Sequence, residues 1–192
     1  MKVALLLVVA GLLPQGAMAN DFPADRIVAA ATGDWNKDGS QDLAVIARPA
    51  EGGDEDNGVY IYLADPGESR LKLKVAAPNK LWGSLVMFGQ EPGVSAMPNG
   101  SIRLTSQNSA VGRDRWSQSL TLAWRGAQFV VAGYSYSSHD TLDPGNSTEC
   151  DLNVLTGKGT ANGKAVTAKG AQIAFEVWDD EIGRKACGLA SQ

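Results

Sequence analysis

Five oxygen-bearing side chains alternate between Gly33 and Ile46: Asp34, Asn36, Asp38, Ser40 and Asp42. Alternate spacing turns such side chains to the inside of a tight loop. Gly39 permits the sharp bend, and Ser40 offers its backbone carbonyl. Hard oxygen donors with several carboxylates select calcium over softer metals. Magnesium ranks second, because it keeps more of its own water. A helix-flanked calcium loop closes with a bidentate glutamate twelve residues in. Val45 stands there, so Asp42 must supply the closing carboxylate. Every ligand is then needed for the cage and none is left for a substrate, so the expected role is structural. The alternative is a turn whose Asp and Asn side chains cap their own backbone. Without a cation, three converging aspartates would repel one another.

Other candidates for chemistry are fewer. The one histidine, His139, sits between Ser138 and Asp140. Catalytic triads assemble from separate segments, so three neighbours in sequence do not make one, and His139 reads as a polar loop residue. Glu176, Asp179, Asp180 and Glu181 offer carboxylates of the kind that hydrolyse glycosides. Nothing in the sequence fixes their separation, and the cluster reads as a solvated face. No glycine-rich loop leads into Lys-Ser or Lys-Thr, so phosphate cradling is not expected. No catalytic residue is assigned, and the expectation is a protein that is not an enzyme. Arg113, Arg115 and Trp116 are of the types enriched in interface hot spots and are the candidate partner-binding residues. The plainer alternative for the arginines is a surface ion pair.

The elements that position these groups are strands. Val59–Leu63 is rich in β-branched and aromatic residues. Leu71–Val75 alternates strictly, which predicts leucines inward and lysines outward. Between Trp116 and Trp124, an apolar face of Trp116, Leu120, Leu122 and Trp124 opposes Arg115, Ser117, Ser119 and Thr121, with Gln118 interrupting the apolar side. Phe129–Tyr136 follows across Arg125-Gly126-Ala127. Asn162-Gly163 is a two-residue hairpin signal. Proline and glycine punctuate the chain at short intervals, and a short helical turn fits Asp179–Arg184. The expected fold is all-β: a single antiparallel β-sandwich or partly open barrel carrying one calcium-binding loop.

The stretch GDWNKDGSQDLAV resembles the calcium loop of FG-GAP and VCBS-type repeats, found in integrin-like β-propellers. In that family the loop is structural. Here it occurs once, whereas a propeller needs a copy in each of several blades. The acidic stretch Glu51–Asn57 lacks the spacing and reads as a solvated loop, with a weaker second cation site as the alternative. A looser likeness runs through Asn99–Leu104, Arg113–Trp116, Gln128–Tyr134 and Asn153–Lys158. These segments are similar to exported bacterial proteins that join one such loop to a β-rich body, some of them periplasmic inhibitors of lysozyme and other peptidoglycan hydrolases, immunity proteins included. The resemblance implies a protein partner such as a cell-wall hydrolase. No short stretch is matched to a plug that would enter an enzyme.

Residues 1–19 read as a secretory signal: Lys2, the apolar run Val3–Leu13, then Ala17-Met18-Ala19 before the cut. Residues 20–192 then form a single all-β domain, exported to the periplasm or secreted, with no membrane anchor. In an oxidising compartment the pair Cys150 and Cys187 reads first as a disulfide, with two free thiols as the alternative. Seventeen Lys and Arg against 21 Asp and Glu give a net charge of −4. An acidic chain without a basic run argues against nucleic acid and anionic membranes as partners. The expected function is calcium-stabilised, non-enzymatic binding in the cell envelope, as an inhibitor of a lysozyme-like hydrolase. The alternatives are a structural or adhesion module of FG-GAP type and an envelope glycan hydrolase.

Overall fold

The computed structural model describes residues 24–49 and 56–189. The expected signal segment and Glu51–Glu55 lie outside the described residues. Strand β1 (Ile27–Gly33) is followed by β2 (Asp42–Ala47), β3 (Asn57–Asp65) and β4 (Arg70–Leu81), hydrogen-bonded in that order as one antiparallel sheet. Strands β5 (Gly93–Ala96), β6 (Ile102–Asn108), β7 (Asp114–Arg125), β8 (Gln128–Asp140), β9 (Ser147–Asn153), β10 (Lys158–Ala161) and β11 (Lys164–Thr167) form the second sheet, each beside its sequence neighbour. A two-residue strand β12 (Ile173–Ala174) pairs with Val130 and Val131 of β8, on a stretch that β9 leaves free. A 3-10 turn (Phe175–Val177) and helix α1 (Asp180–Ala186) finish the described chain.

Neither sheet closes on itself, and the fold is an all-β sandwich. The inner faces supply one core: Ile46, Val59, Ile61 and Val75 from the first sheet, and Ile102, Leu104, Leu120, Leu122 and Val131 from the second. Alternation along β6 shows the cause, since Ile102 and Leu104 are buried while Arg103 between them faces water. Two tight hairpins follow the turn chemistry. Asn162 and Gly163 both take positive φ, as do Gly126 and Ala127. Such turns match the right-handed twist of the strands they join.

Two expectations about faces are corrected. Leu71 and Leu73 are exposed, not buried. The β3–β4 pairing slips between Ile61 and Tyr62, and beyond that bulge all of Arg70–Lys74 faces solvent. Asn57, read as part of a solvated acidic loop, is buried at the start of β3. Its side-chain amide donates to the carbonyls of Leu81 and Gly83, both at 2.9 Å.

The disulfide joins Cys150 on β9 to Cys187 just past α1, with Cα atoms 6.1 Å apart. It ties the helix to the second sheet, which is the expected pairing. The helix lies close to that sheet at Gly183, where a Cβ would come within 2.6 Å of the Tyr134 ring.

Candidate functional site

The oxygen-rich loop is built by its own backbone. Asp34 accepts from the N–H groups of Asp38 and Gly39, each at 3.0 Å. Asn36 Oδ1 accepts from Asp38 N–H, and Asp38 Oδ1 from Ser40 N–H. Asn36 also donates its amide to Asp38 Oδ2 at 2.7 Å. That amide, and then the Ser40 N–H, hold the Asp38 carboxyl below the usual carboxylate range. Lys37 and Gly39 take positive φ to make the bend. Trp35 drops into the core. Asp42, only 1 % exposed, faces inward: one oxygen accepts from Trp35 N–H and the other from Ala64 N–H, both at 2.9 Å. Asp42 thereby ties the loop to β3. The donors are hard oxygen throughout, which suits calcium in kind. Among the described residues, however, no group of three or more His, Cys, Asp or Glu side chains stands together as a metal cluster. The arrangement on view is the self-capped turn.

Of the three partner-binding candidates, Arg115 and Trp116 line one trough and Arg113 stands apart. Arg113 forks onto Asp140, its Nε donating to Oδ1 at 2.9 Å and its Nη2 to Oδ2. The pair holds Asp140 below its ordinary pKa and raises that of Arg113. Arg115 lies across from His139 on the outer face of the second sheet, and its Nη1 is buried with no hydrogen-bond partner. Trp116 meets Trp82 in a tilted contact, ring centroids 4.9 Å apart and planes at 56°. Arg115 and His139 line a trough of 380 Å³ that shares Gln107, Ser117 and Ser137 with a neighbouring groove of 520 Å³. Hydroxyls dominate this surface, and those of Ser117 and Ser137 bond to each other at 2.9 Å.

Two further features were not singled out from the sequence. The connection between β4 and β5 lifts Leu85, Val86, Met87 and Phe88 out of the molecule, with Val86 89 % and Phe88 85 % exposed. This apolar tip is held rather than loose. Ser84 N–H donates to Gln90 O, Gln90 N–H to Met87 O, and Ser109 N–H to Gly89 O at 2.8 Å. Gly89 has φ of 78°, and a Cβ there would meet that of Ala110 at 2.5 Å. The available signal was a run of four large apolar residues between Gly83-Ser84 and Gly89, with no alternation to give it a buried face.

The second feature is a cleft of 340 Å³ at the root of that tip, where Trp82, Trp116, Tyr136, Gln118, Asp56 and Asp180 meet. Gln118, the interruption in its strand's apolar face, donates its amide to Asp180 Oδ2 at 2.6 Å. Trp178 Nε1 donates to the other oxygen at 2.8 Å. Burial, and then the Asp180 charge, push the Asp56 carboxyl above its usual value. Of the clustered C-terminal acids, Asp180 enters this cleft. Asp179 caps α1 by accepting from Glu181 N–H, and Glu181 pairs with Arg184 at 3.7 Å.

No family model matches the chain, and no curated protein matches it. A solved structure described as that of a Xanthomonas type IV secretion system related protein aligns with 69 % of this chain at 19 % identity and a TM-score of 0.39. The alignment spans 56 % of that protein's length.

Proposed function

We propose that this protein is a non-enzymatic binding protein that works outside the cytoplasm, in the cell envelope, and blocks a lysozyme-like peptidoglycan hydrolase. The observation that carries this reading is the rigid apolar tip Leu85–Phe88. A convex knob of exposed aliphatic and aromatic side chains gains from leaving water for a concave surface. An enzyme's substrate cleft is such a surface. A loop already held in one shape loses little entropy on docking, which is where binders of this size gain affinity. The disulfide supports an oxidising compartment. Calcium at the loop of Asp34, Asn36, Asp38, Ser40 and Asp42 belongs to the same reading, as a brace that holds β1 against β2. An adhesion module remains the structural alternative. The hydroxyl-lined trough beside Arg115 supports a second reading, in which the ligand is an envelope glycan.

The test is to mix the protein with purified muramidases and follow both complex formation and wall hydrolysis. A stoichiometric complex with loss of hydrolysis is expected, and Phe88→Ser should remove both while leaving the fold intact. Undiminished hydrolysis across the panel would reject inhibition. Retention of wall fragments by the protein alone would favour the glycan reading.

A further inference from the structure

We propose that the cleft walled by Trp82 and Trp116 and floored by Asp56 and Asp180 receives a basic side chain, arginine by preference, from the protein that docks on the neighbouring apolar tip. This rests on the reading of the tip as a protein-binding knob. Trp82 connects the two surfaces: it lines the cleft and stands three residues before Leu85, with its ring partly exposed.

Two observations carry the inference. The cleft is lined by two carboxylates, and among the described residues no Lys or Arg side chain lines it. The nearest cations are committed elsewhere. Lys80 Nζ donates to the carbonyls of Glu176 and Trp178. Arg184 lies over the Tyr136 ring at 4.9 Å and pairs with Glu181. The hydrogen bonds that hold the Asp180 carboxylate come from neutral donors, Gln118 and Trp178, while the Lys80 ammonium is near enough to feel its charge. Next, the walls are indoles, whose faces attract cations.

The lining also discriminates between cations. Calcium needs six to eight oxygen ligands, and three of the seven residues lining this cleft are aromatic. A guanidinium meets both features at once: its plane stacks on an indole and its fork reaches a carboxylate.

The experiment titrates the protein with N-acetyl-arginine amide and, separately, with its neutral isostere N-acetyl-citrulline amide, following the tryptophan fluorescence. Saturable quenching by the arginine compound alone is expected. Asp56→Asn and Asp180→Asn should each weaken it about tenfold, the size of one cation–π or charge contact at a partly desolvated site. An equal response to both compounds, or no change in either variant, would overturn the proposal. Asp56→Asn keeps the test decisive if Asp180→Asn disturbs α1. At the level of the complex, a hydrolase bound equally well by the parent protein and by both variants also overturns it. If no hydrolase binds, the functional reading fails and the arginine titration still decides the cleft.

Discussion

Gln118 and Asp180, 62 residues apart in sequence, meet at 2.6 Å through the Gln118 amide and the Asp180 carboxylate. The contact joins the middle of β7 to the first turn of α1, and it explains a glutamine set among apolar neighbours. Gln118→Leu would leave the carboxylate one donor short in a partly buried place. We expect a loss of about 1.5–3 kcal/mol, the range for hydrogen bonds to charged groups. The shift of the urea midpoint measures it, and Gln118→Glu should cost more by placing like charges together.

The disulfide holds the same helix from its other end. Its closed loop of 37 residues predicts about 3.9 kcal/mol of stabilisation from chain entropy. A Cys150→Ser/Cys187→Ser double variant should lose stability on that scale in denaturant titration. Parent protein treated with reductant should fall to the same value.

Asp56 gives the stability curve a defined sign. Its folded pKa is raised above 3.8, first by burial and then by Asp180. Between 3.8 and the raised value the folded state binds more protons than the unfolded state, so stability falls as pH rises through that window. Above the window the cost is fully present. Asp56→Asn should therefore raise the melting temperature at neutral pH, with the gain vanishing toward pH 3. Asp140 behaves oppositely: Arg113 depresses its pKa, so its contribution is present at neutral pH and is lost on acidification below 3.8.

Calcium is tested without reference to any partner. Binding to the folded state alone adds stability in proportion to RT ln(1 + [L]/Kd). Calcium should raise the melting temperature, a chelator should reverse the rise, and Asp38→Ala should abolish the response. An identical melting temperature with calcium and with chelator would leave the loop as the self-capped turn seen in its hydrogen bonds.

Much of the sandwich was legible because local patterns and global packing agree. The apolar face read along β7 put Leu120 and Leu122 in the core, Asn162-Gly163 made its hairpin, and two cysteines in one chain found each other. Legibility failed where one strand outruns its partner layer. Leu71 and Leu73 alternate correctly, but beyond the bulge at Ile61/Tyr62 the strand has no buried face. Of the three residues grouped by adjacency, Arg115 and Trp116 do line one trough, whereas Arg113 is held on Asp140. The cleft was illegible for another reason. It draws Asp56, Trp82, Gln118 and Asp180 from four separate segments. Only topology brings them together.

The apolar tip depends on Gly89, whose positive φ and contact with Ala110 leave no space for a side chain. Gly89→Ala should cost about 1–3 kcal/mol of local strain and loosen the tip. Weaker partner binding, with a melting temperature lower by several degrees, is the expected pattern.

The most direct measurement of the central claim is wall hydrolysis by purified lysozyme-like enzymes titrated with this protein, beside its Phe88→Ser variant, in calcium. At least one enzyme should be silenced at an equimolar ratio by the parent protein and stay active with the variant. Inhibition by both alike, or by neither, would contradict it.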